Sequence, residues 1–283
     1  MNDLLFLLRQ ALVSTYEDGC IGIAKGAAYS SLLSFFPGLT TLTTILVQAD
    51  AEAVSRILSR FVARIAPPGT QPLIDVQVHF TGAKPVSLLV VAALLSLWAA
   101  SGVTASLMEG FRAAYRIPTG RSLLKERGVA VLLVFTTILP VLALSALIVF
   151  GDRIVESAMG ALGVLQADQH LRGWLALLSF GARFVTSISA VTLILGLQYY
   201  IGPNRRQKFL DILPGALVAT VLWLLVTLLF GWYVRHLANY NVLYGSIGGA
   251  IALLVWMYLL SIISLYGCEF NAERERLAGP VHA

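Results

Sequence analysis

Ionisable residues are scarce in the long apolar stretches of this sequence, so those that occur there are the first candidates for chemistry. Arg183 lies inside the apolar stretch 174–200. A charge at such depth in a membrane costs about 2.5–3.5 kcal/mol on insertion scales, so protein or water must solvate it. We therefore predict that Arg183 faces inward near Pro37-Gly38, where it binds an anionic group or holds a gate. The alternative is that its long side chain reaches the outer interface of the membrane.

Four other ionisable residues mark the ends of apolar stretches. Lys25 enters the first stretch, Glu109 ends the second, Asp211 begins the fifth and Glu269 ends the sixth. Lys25 could pair with Glu109 or with Glu269, because all three are expected near the same face of the membrane. The pattern leaves two alternatives open, which are structural ion pairs at the mouth of a bundle and a gate for protons or cations.

Prolines inside the apolar stretches are candidates for helix breaks. Pro37-Gly38 lies in the first stretch, Pro140 in the third and Pro214 near the start of the fifth. Proline removes a backbone donor, and in a membrane the freed carbonyl must be satisfied by protein or water. Interrupted helices often hold the substrate sites of transporters. A packed kink is the alternative, and we favour it at Pro214 because a helix start tolerates proline.

Small residues recur at intervals of four, which places them on one face of a helix. They are Gly22, Gly26, Ser30 and Ser34 in the first stretch, with Gly245 and Gly249 in the sixth. Such a face allows two helix backbones to approach closely in lipid, where no hydrophobic force drives helices together. We predict that helix packing is the main role of these six residues.

Motifs typical of enzymes are missing from the sequence. It contains no GxSxG, HExxH, P-loop or dinucleotide fingerprint, and its histidines are scattered. Only Glu109, Asp211 and Glu269 could converge as carboxylates, and each has a simpler structural role. We predict no catalytic residue, no metal and no cofactor, and a membrane-bound nuclease is the third alternative for function.

The elements that position these residues follow from composition. Hydrophobic residues make up 58% of the chain and charged residues 12%, against about 25% charged in soluble domains. A membrane span needs about 20 mostly apolar residues, and six stretches meet that length. They lie near 22–47, 86–108, 128–150, 174–200, 210–235 and 244–268. We predict an all-α integral membrane bundle of about six transmembrane helices.

The basic residues predict how the bundle is oriented. Segment 109–127 holds five Lys or Arg residues and loop 201–209 holds three, whereas turn 236–243 holds none. Because loops rich in Lys and Arg stay in the cytoplasm, both termini are expected there, in a bacterial cytoplasmic (inner) membrane. An amphipathic cytoplasmic segment 1–21 would precede a membrane domain 22–273 and a cytoplasmic tail 274–283. Topology accounts for the net charge of +5, so no nucleic-acid partner is expected.

The predicted external loop 48–85 contains an amphipathic helical segment at 51–65. Its apolar residues form one stripe, and Arg56, Arg60 and Arg64 recur every four positions on another face. These arginines could be a solvated face, or they could contact anionic headgroups or an anionic substrate.

Several blocks of the sequence match a known family in order. They are Gly202-Pro203-Asn204-Arg205, Leu213-Pro214-Gly215, Asn239-Tyr240-Asn241, Tyr244-Gly245-Ser246 and Glu269-Phe270-Asn271-Ala272-Glu273. With GAAYSSLLSFFPGLTTL in the first stretch and LWAASGVTASLMEGFRAAY in the second, they resemble the YihY/BrkB family of bacterial inner-membrane proteins. Cys268 stands where that family often has a small residue such as alanine.

The resemblance implies six helices in the plasma membrane of a bacterium. Members of the family have been linked to virulence or serum resistance and some to lipid or solute export, and an older ribonuclease BN label is regarded as a misassignment. We interpret the chain as a transporter or exporter of a small solute or lipid, and the alternative is a non-transporting scaffold for envelope integrity. Membrane lipids are the expected partners, and a homo-oligomer is compatible with the sequence. A central cavity would favour transport, and a dry, tightly packed bundle would favour the scaffold.

Overall fold

The computed structural model describes residues 2–48, 86–118, 120–161, 173–236 and 248–278. Every regular element in this part of the chain is an α-helix. The helices are α1 (Asn2–Glu17), α2 (Cys20–Gln48), α3 (Val86–Ala114), α4 (Leu123–Ala161), α5 (Gly173–Ile201), α6 (Phe209–His236) and α7 (Gly248–Ala278). The prediction of an all-α fold is confirmed. The predicted helical segment 51–65, with Arg56, Arg60 and Arg64, and the packing residue Gly245 lie outside the described residues.

The long helices α2 to α7 overlap the six predicted apolar stretches. Among the described residues, four segments are long and apolar enough to cross a membrane: Leu89–Ala114, Phe184–Ile201, Phe209–Val234 and Gly248–Ala278. Only 22–44% of the residues in their most apolar windows are buried inside the protein. Large apolar side chains such as Leu94 and Leu228 therefore face outward, and water would not tolerate so wide an apolar surface. The molecule is a membrane-embedded bundle of about six transmembrane helices.

The N-terminal helix α1 is amphipathic, as its sequence predicts. Leu7 and Ala11 are buried against Tyr266 and Phe270 of α7, and the hydroxyl of Tyr266 donates to the carbonyl of Leu8 at 2.9 Å. A second set of apolar residues points away from the bundle and is exposed: Leu4, Leu5 and Leu12. The helix therefore docks on α7 through one face and leaves another apolar face free, which suits a position at the membrane surface.

Helices α2 and α3 pack through small residues along much of their length. A Cβ atom added to Gly26 would lie 3.6 Å from the Oγ of Ser106, and one added to Gly102 would lie 3.1 Å from the Oγ of Ser30. At the other end of the pair, a Cβ atom on Gly38 would lie 3.5 Å from the Oγ of Ser96. Residue numbers rise along α2 as they fall along α3, so the two helices are antiparallel.

Of the two alternatives at Pro37-Gly38, the helix break does not occur. Helix α2 continues through Pro37 from Cys20 to Gln48. The hydroxyl of Thr41 donates to the carbonyl of Pro37 at 2.8 Å, and Gly38 lies against α3 at Ser96. A proline inside a helix that neighbouring side chains support is a packed kink, which was the alternative at this position. Pro140 and Pro214 likewise lie inside the continuous helices α4 and α6.

The tightest crossing in the described structure joins α6 to α7 at two glycines. A Cβ atom on Gly215 would lie 2.1 Å from the carbonyl oxygen of Gly267, and one on Gly267 would lie 2.6 Å from that of Gly215. Neither position has room for a side chain. We call this region the tight end, and it comprises residues 265–273 of α7, all buried, with residues 211–216 of α6.

Candidate substrate cavity and buried carboxylate

A partly open cavity of about 320 Å³ lies among the long helices of the bundle. Each of the six long helices contributes to its lining, which is mainly apolar and includes Leu107, Ile194 and Trp223. The polar residues in the lining are Ser31, Thr104, Thr137, Gln198, Ser261 and Ser264. None of the lining residues that the structure describes carries a charge. The arrangement suits a small, largely apolar molecule with few polar groups.

Gln198 is the polar residue of the described lining whose side-chain oxygen lacks a hydrogen-bond partner. Its side chain is only 7% exposed. The amide nitrogen Nε2 donates to the hydroxyl oxygen of Thr137 at 3.0 Å, whereas the amide oxygen Oε1 is buried without a hydrogen-bond partner. A buried acceptor left in this state costs about 1–3 kcal/mol. Water or a ligand in the cavity would recover that free energy by donating to Oε1.

The hydroxyl groups of the lining already use their hydrogens within the helices. Thr137 donates to the carbonyl of Leu133 at 2.8 Å, and Ser31 donates to Ala27 at 2.8 Å. The remaining donors bond in the same way to backbone carbonyls at 2.8–3.1 Å: Thr104, Ser261, Ser264 and the indole nitrogen of Trp223. Each hydroxyl has one hydrogen and two acceptor lone pairs, so these groups offer acceptors to the cavity.

Residues predicted to form a gate do not meet in one place. Gly38 lies in the packed interface with α3, and the carbonyl of Pro37 accepts from Thr41 of its own helix. Lys25 and Glu109 are exposed, and within the described part of the chain neither forms an ion pair. The side chain of Arg183 lies outside the described residues, so its inward orientation and its role toward an anion stay predictions.

Glu269 departs from its expected place at an open bundle mouth. Its side chain is 0% exposed. Oxygen Oε1 accepts from the thiol of Cys20 at 3.5 Å, and oxygen Oε2 has no hydrogen-bond partner. The predicted pairing of Lys25 with Glu269 is not formed. Glu269 is therefore a buried acid in the tight end, held between α2 and α7.

A second acid lies one helical turn further along α7. Glu273 accepts from the hydroxyl of Ser14 at 2.6 Å and pairs with Arg276, which also donates to the carbonyl of Ala114. This group connects α1, α3 and α7. Glu273 thus has two partners on Oε1, whereas Glu269 accepts only from the thiol of Cys20.

Asn271 joins two sequence blocks that are far apart in the chain. Its side-chain oxygen accepts from the backbone N–H of Gly215 at 2.8 Å, and its side-chain nitrogen donates to the carbonyl of Ile212 at 2.8 Å. Helix α6 runs on through Pro214, which has no backbone N–H to donate. The amide of Asn271 supplies an acceptor and a donor to backbone groups on either side of this proline.

Two basic residues of the connecting segments, Arg121 and Arg205, contact helix ends and neighbouring side chains. Arg121 donates to the carbonyls of Ile201 at 2.6 Å and Gly202 at 3.1 Å, which are left unpaired at the end of α5. Arg205 lies 4.3 Å from the ring centre of Tyr115 and pairs with Glu275 at 2.6 Å. Burial raises the pKa of the Tyr115 phenol, so this ring contacts Arg205 as a neutral group.

The three carboxylates that could have converged differ in exposure. Asp211 and Glu109 are exposed whereas Glu269 is buried. Within the described ranges no three His, Cys, Asp or Glu residues lie close enough to hold a metal ion together. Cys20 and Cys268 are buried free thiols.

Comparison with known proteins places this architecture among bacterial membrane proteins. A family model described as Virulence factor BrkB matches residues 11–282. A ribonuclease-like protein of Bacillus subtilis, YfkH, is 30% identical over 256 residues, which is 89% of each chain. A UPF0761 membrane protein of Alkalilimnicola ehrlichii is 26% identical over 272 residues, covering 93% of this chain and 58% of that one.

A UPF0761 membrane protein of Vibrio vulnificus is 28% identical over 276 residues, which is 93% of this chain and 82% of the relative. The chain thus spans little more than half the length of some relatives and most of others. No solved structure matches it.

Proposed function

This chain belongs to the BrkB family of membrane proteins, and from that premise we propose that it is a transporter or exporter of a small solute or lipid. The observation that carries the proposal is the cavity of about 320 Å³ to which all six long helices contribute. Binding sites for small molecules typically occupy about 300–1,000 Å³ and are mostly apolar, with a few polar groups. A bundle that served only as a scaffold would gain from filling such a space, since each missing contact costs stability.

Reconstitution into lipid vesicles tests this proposal. We expect purified protein to accelerate the movement of at least one of two probes, a fluorescent phosphatidylcholine across the bilayer or radiolabelled glycerol out of loaded vesicles. The Ala100→Phe substitution places a ring in the cavity lining and should return the rate to that of empty vesicles. Leu94→Phe on the same helix is the matched control, because Leu94 is 63% exposed on the outer face.

A non-transporting scaffold for envelope integrity is the second candidate, and the close crossing of Gly215 and Gly267 favours it. Vesicles that carry folded protein yet release both probes at the rate of empty vesicles would support the scaffold over the transporter. A membrane-bound nuclease is favoured by the description of the Bacillus subtilis relative YfkH as ribonuclease-like. We do not propose it, because the described lining of the cavity offers no carboxylate or histidine.

We also propose that the protein lies in the bacterial inner membrane with both termini in the cytoplasm. The basic segments around residues 120 and 206 support this orientation. Cysteines introduced as Gly120→Cys and Arg206→Cys should react with an impermeant maleimide in inside-out vesicles and not in intact cells. The native thiols are both buried, so their background labelling should be low. Labelling of either introduced cysteine in intact cells would reverse the orientation.

Membrane lipids are the partners we propose for the outward apolar faces of the bundle. Contact of Arg56, Arg60 and Arg64 with anionic headgroups and assembly into a homo-oligomer remain predictions.

A further inference from the structure

We propose that the central cavity selects an uncharged apolar molecule that bears a hydroxyl group, and that Gln198 receives the hydrogen bond of that hydroxyl. The inference deepens the proposed function, since it assigns a substrate class to the same cavity. It depends on which atom of Gln198 is free and on what the rest of the lining can offer.

The hydrogen bonds of Thr137 fix the orientation of the Gln198 amide. The single hydroxyl hydrogen of Thr137 is donated to the carbonyl of Leu133 at 2.8 Å, so toward Gln198 the hydroxyl can only accept. The atom of Gln198 that lies 3.0 Å from it must therefore be the donor Nε2. Rotating the amide by half a turn would bring two acceptors together. The atom left without a partner is consequently the acceptor Oε1.

The lining is rich in acceptors and poor in donors. The hydroxyls of Ser31, Ser261 and Ser264 donate their hydrogens to backbone carbonyls. The indole N–H of Trp223 does the same. The second hydrogen on Nε2 of Gln198 is the one donor of the described polar lining groups that these bonds leave unused. A ligand with a carboxylate or phosphate would lose its hydration and find almost no donor in exchange.

The same lining residues indicate that the ligand carries no charge. No described lining residue is acidic, so a buried ammonium group would have acceptors but no counter-charge, and the transfer of an unpaired charge from water is costly. A hydroxyl group has a smaller hydration cost and can donate to Oε1 of Gln198. Its own oxygen can accept the remaining hydrogen on Nε2. The apolar residues around it, such as Leu107 and Ile194, suit a hydrocarbon body.

Equilibrium dialysis with two matched probes tests the inference. Cyclohexylmethanol and its methyl ether share one ring and one oxygen, and they differ in whether that oxygen can donate. With purified protein in detergent on one side and micelles alone on the other, we expect the alcohol to bind about tenfold more tightly than the ether. Cyclohexanecarboxylate should bind more weakly than either.

Variants of the protein then test whether Gln198 causes the preference for the alcohol over the ether. Gln198→Leu should bind the alcohol and the ether equally, because the acceptor is lost while an apolar side chain remains. Gln198→Met serves the same purpose if the leucine variant does not fold. Thr186→Ala is the matched control on the same helix and outside the lining, because its exposed hydroxyl bonds only to the carbonyl of Ala182, and it should keep the preference for the alcohol.

Three results would overturn the inference: equal binding of the alcohol and the ether to the unaltered protein, absence of binding for both, or a preference that survives in folded Gln198→Leu. Each of the first two would mean that water alone satisfies Oε1. The vesicle measurements report separately on transport. A preference for the alcohol without probe movement would refute the transporter while leaving the assigned selectivity of the cavity intact.

Discussion

Helix α7 passes through two different environments, and the comparison separates what holds the bundle together from what could serve a ligand. In its middle, Met257, Ser261 and Ser264 line a cavity. From Leu265 to Glu273 every residue is buried. Ser264 and Gly267 are less than one helical turn apart, so the change from cavity to close packing is abrupt.

The difference teaches that two of the recognisable blocks of this sequence hold helices together. Leu213-Pro214-Gly215 and Glu269–Glu273 meet in the tight end, where glycine backbones touch and Asn271 bonds to α6. The cavity is instead built from ordinary apolar residues with a few hydroxyls and one amide. Changes in the tight end should therefore cost stability, and changes in the cavity should alter ligand binding with little effect on stability.

The largest loss of stability is expected from Gly215→Ala. The new Cβ atom would lie 2.1 Å from the carbonyl oxygen of Gly267, a distance at which the two helix backbones must separate. Overpacking typically costs about 1–3 kcal/mol and occasionally more, and rigid backbone on the opposite side puts this site at the upper end. Thermal unfolding followed by size-exclusion chromatography in detergent would measure it.

Gly22→Ala is the control for that substitution. A Cβ atom at Gly22 would meet nothing within 4 Å, and alanine is the better helix former. We expect the same or a higher melting temperature for this variant. Equal melting temperatures for Gly215→Ala and Gly22→Ala would show that the tight end can expand, which would remove the contrast with the cavity.

The next largest effect is expected from Asn271→Ala. This change leaves the N–H of Gly215 without its acceptor and removes a donor from the carbonyl of Ile212. Two lost bonds at a buried site should cost about 2 kcal/mol. The matched control is Thr186→Ala, because that exposed hydroxyl bonds only to the carbonyl of Ala182 within its own helix. A loss no greater than that of the control would mean that water replaces the amide.

How far the sequence alone leads depends on the kind of feature. The helices follow from apolar stretches of sufficient length, so α2 to α7 overlap the predicted spans. Spacing also identified Gly26 and Ser30 as packing residues, and both lie against α3. Proline was misleading, because a break and a supported kink have the same local sequence, and neighbouring helices decide between them. At Pro37 both alternatives were open, and the helix continues without a break.

The candidate site was less accessible to sequence reasoning. Gln198 was not singled out, although an amide among Leu, Gly and Tyr in an apolar stretch was a usable signal. Its importance depends on Thr137 of α4, which is distant in sequence and whose hydroxyl fixes the amide. The burial of Glu269 was missed because a residue at the end of a span is normally expected near water. Here α1 and α2 cover that end of the bundle.

A smaller effect is expected at Tyr199, which lies on the boundary between the two regions. Its hydroxyl donates to the carbonyl of Ser264 at 2.6 Å, and its ring packs edge to face on Phe111. Tyr199→Phe keeps the ring and removes one buried hydrogen bond, so we expect a loss of about 1 kcal/mol in the free energy of unfolding. Tyr200→Phe is the neighbouring control, since Tyr200 is 43% exposed. If both variants lose the same stability, the boundary between the cavity and the tight end does not lie at Tyr199.

The smallest change in stability, with a clear change in binding, is expected from Thr137→Val. Valine has nearly the same shape and lacks the hydroxyl oxygen that accepts from Nε2 of Gln198. The amide then loses its anchor beside a cavity that can admit water, so the unfolding free energy should fall by less than about 1 kcal/mol. The alcohol and ether probes should lose most of their difference in affinity, because a rotating amide presents its oxygen and its nitrogen to the ligand in turn. Thr136→Val is the matched control one residue earlier, since Thr136 bonds to the carbonyl of Leu133 and not to Gln198. If Thr137→Val destabilises the protein as much as Asn271→Ala does, the residues that line the cavity also stabilise the bundle. The division of α7 into a packing half and a ligand half would then be wrong.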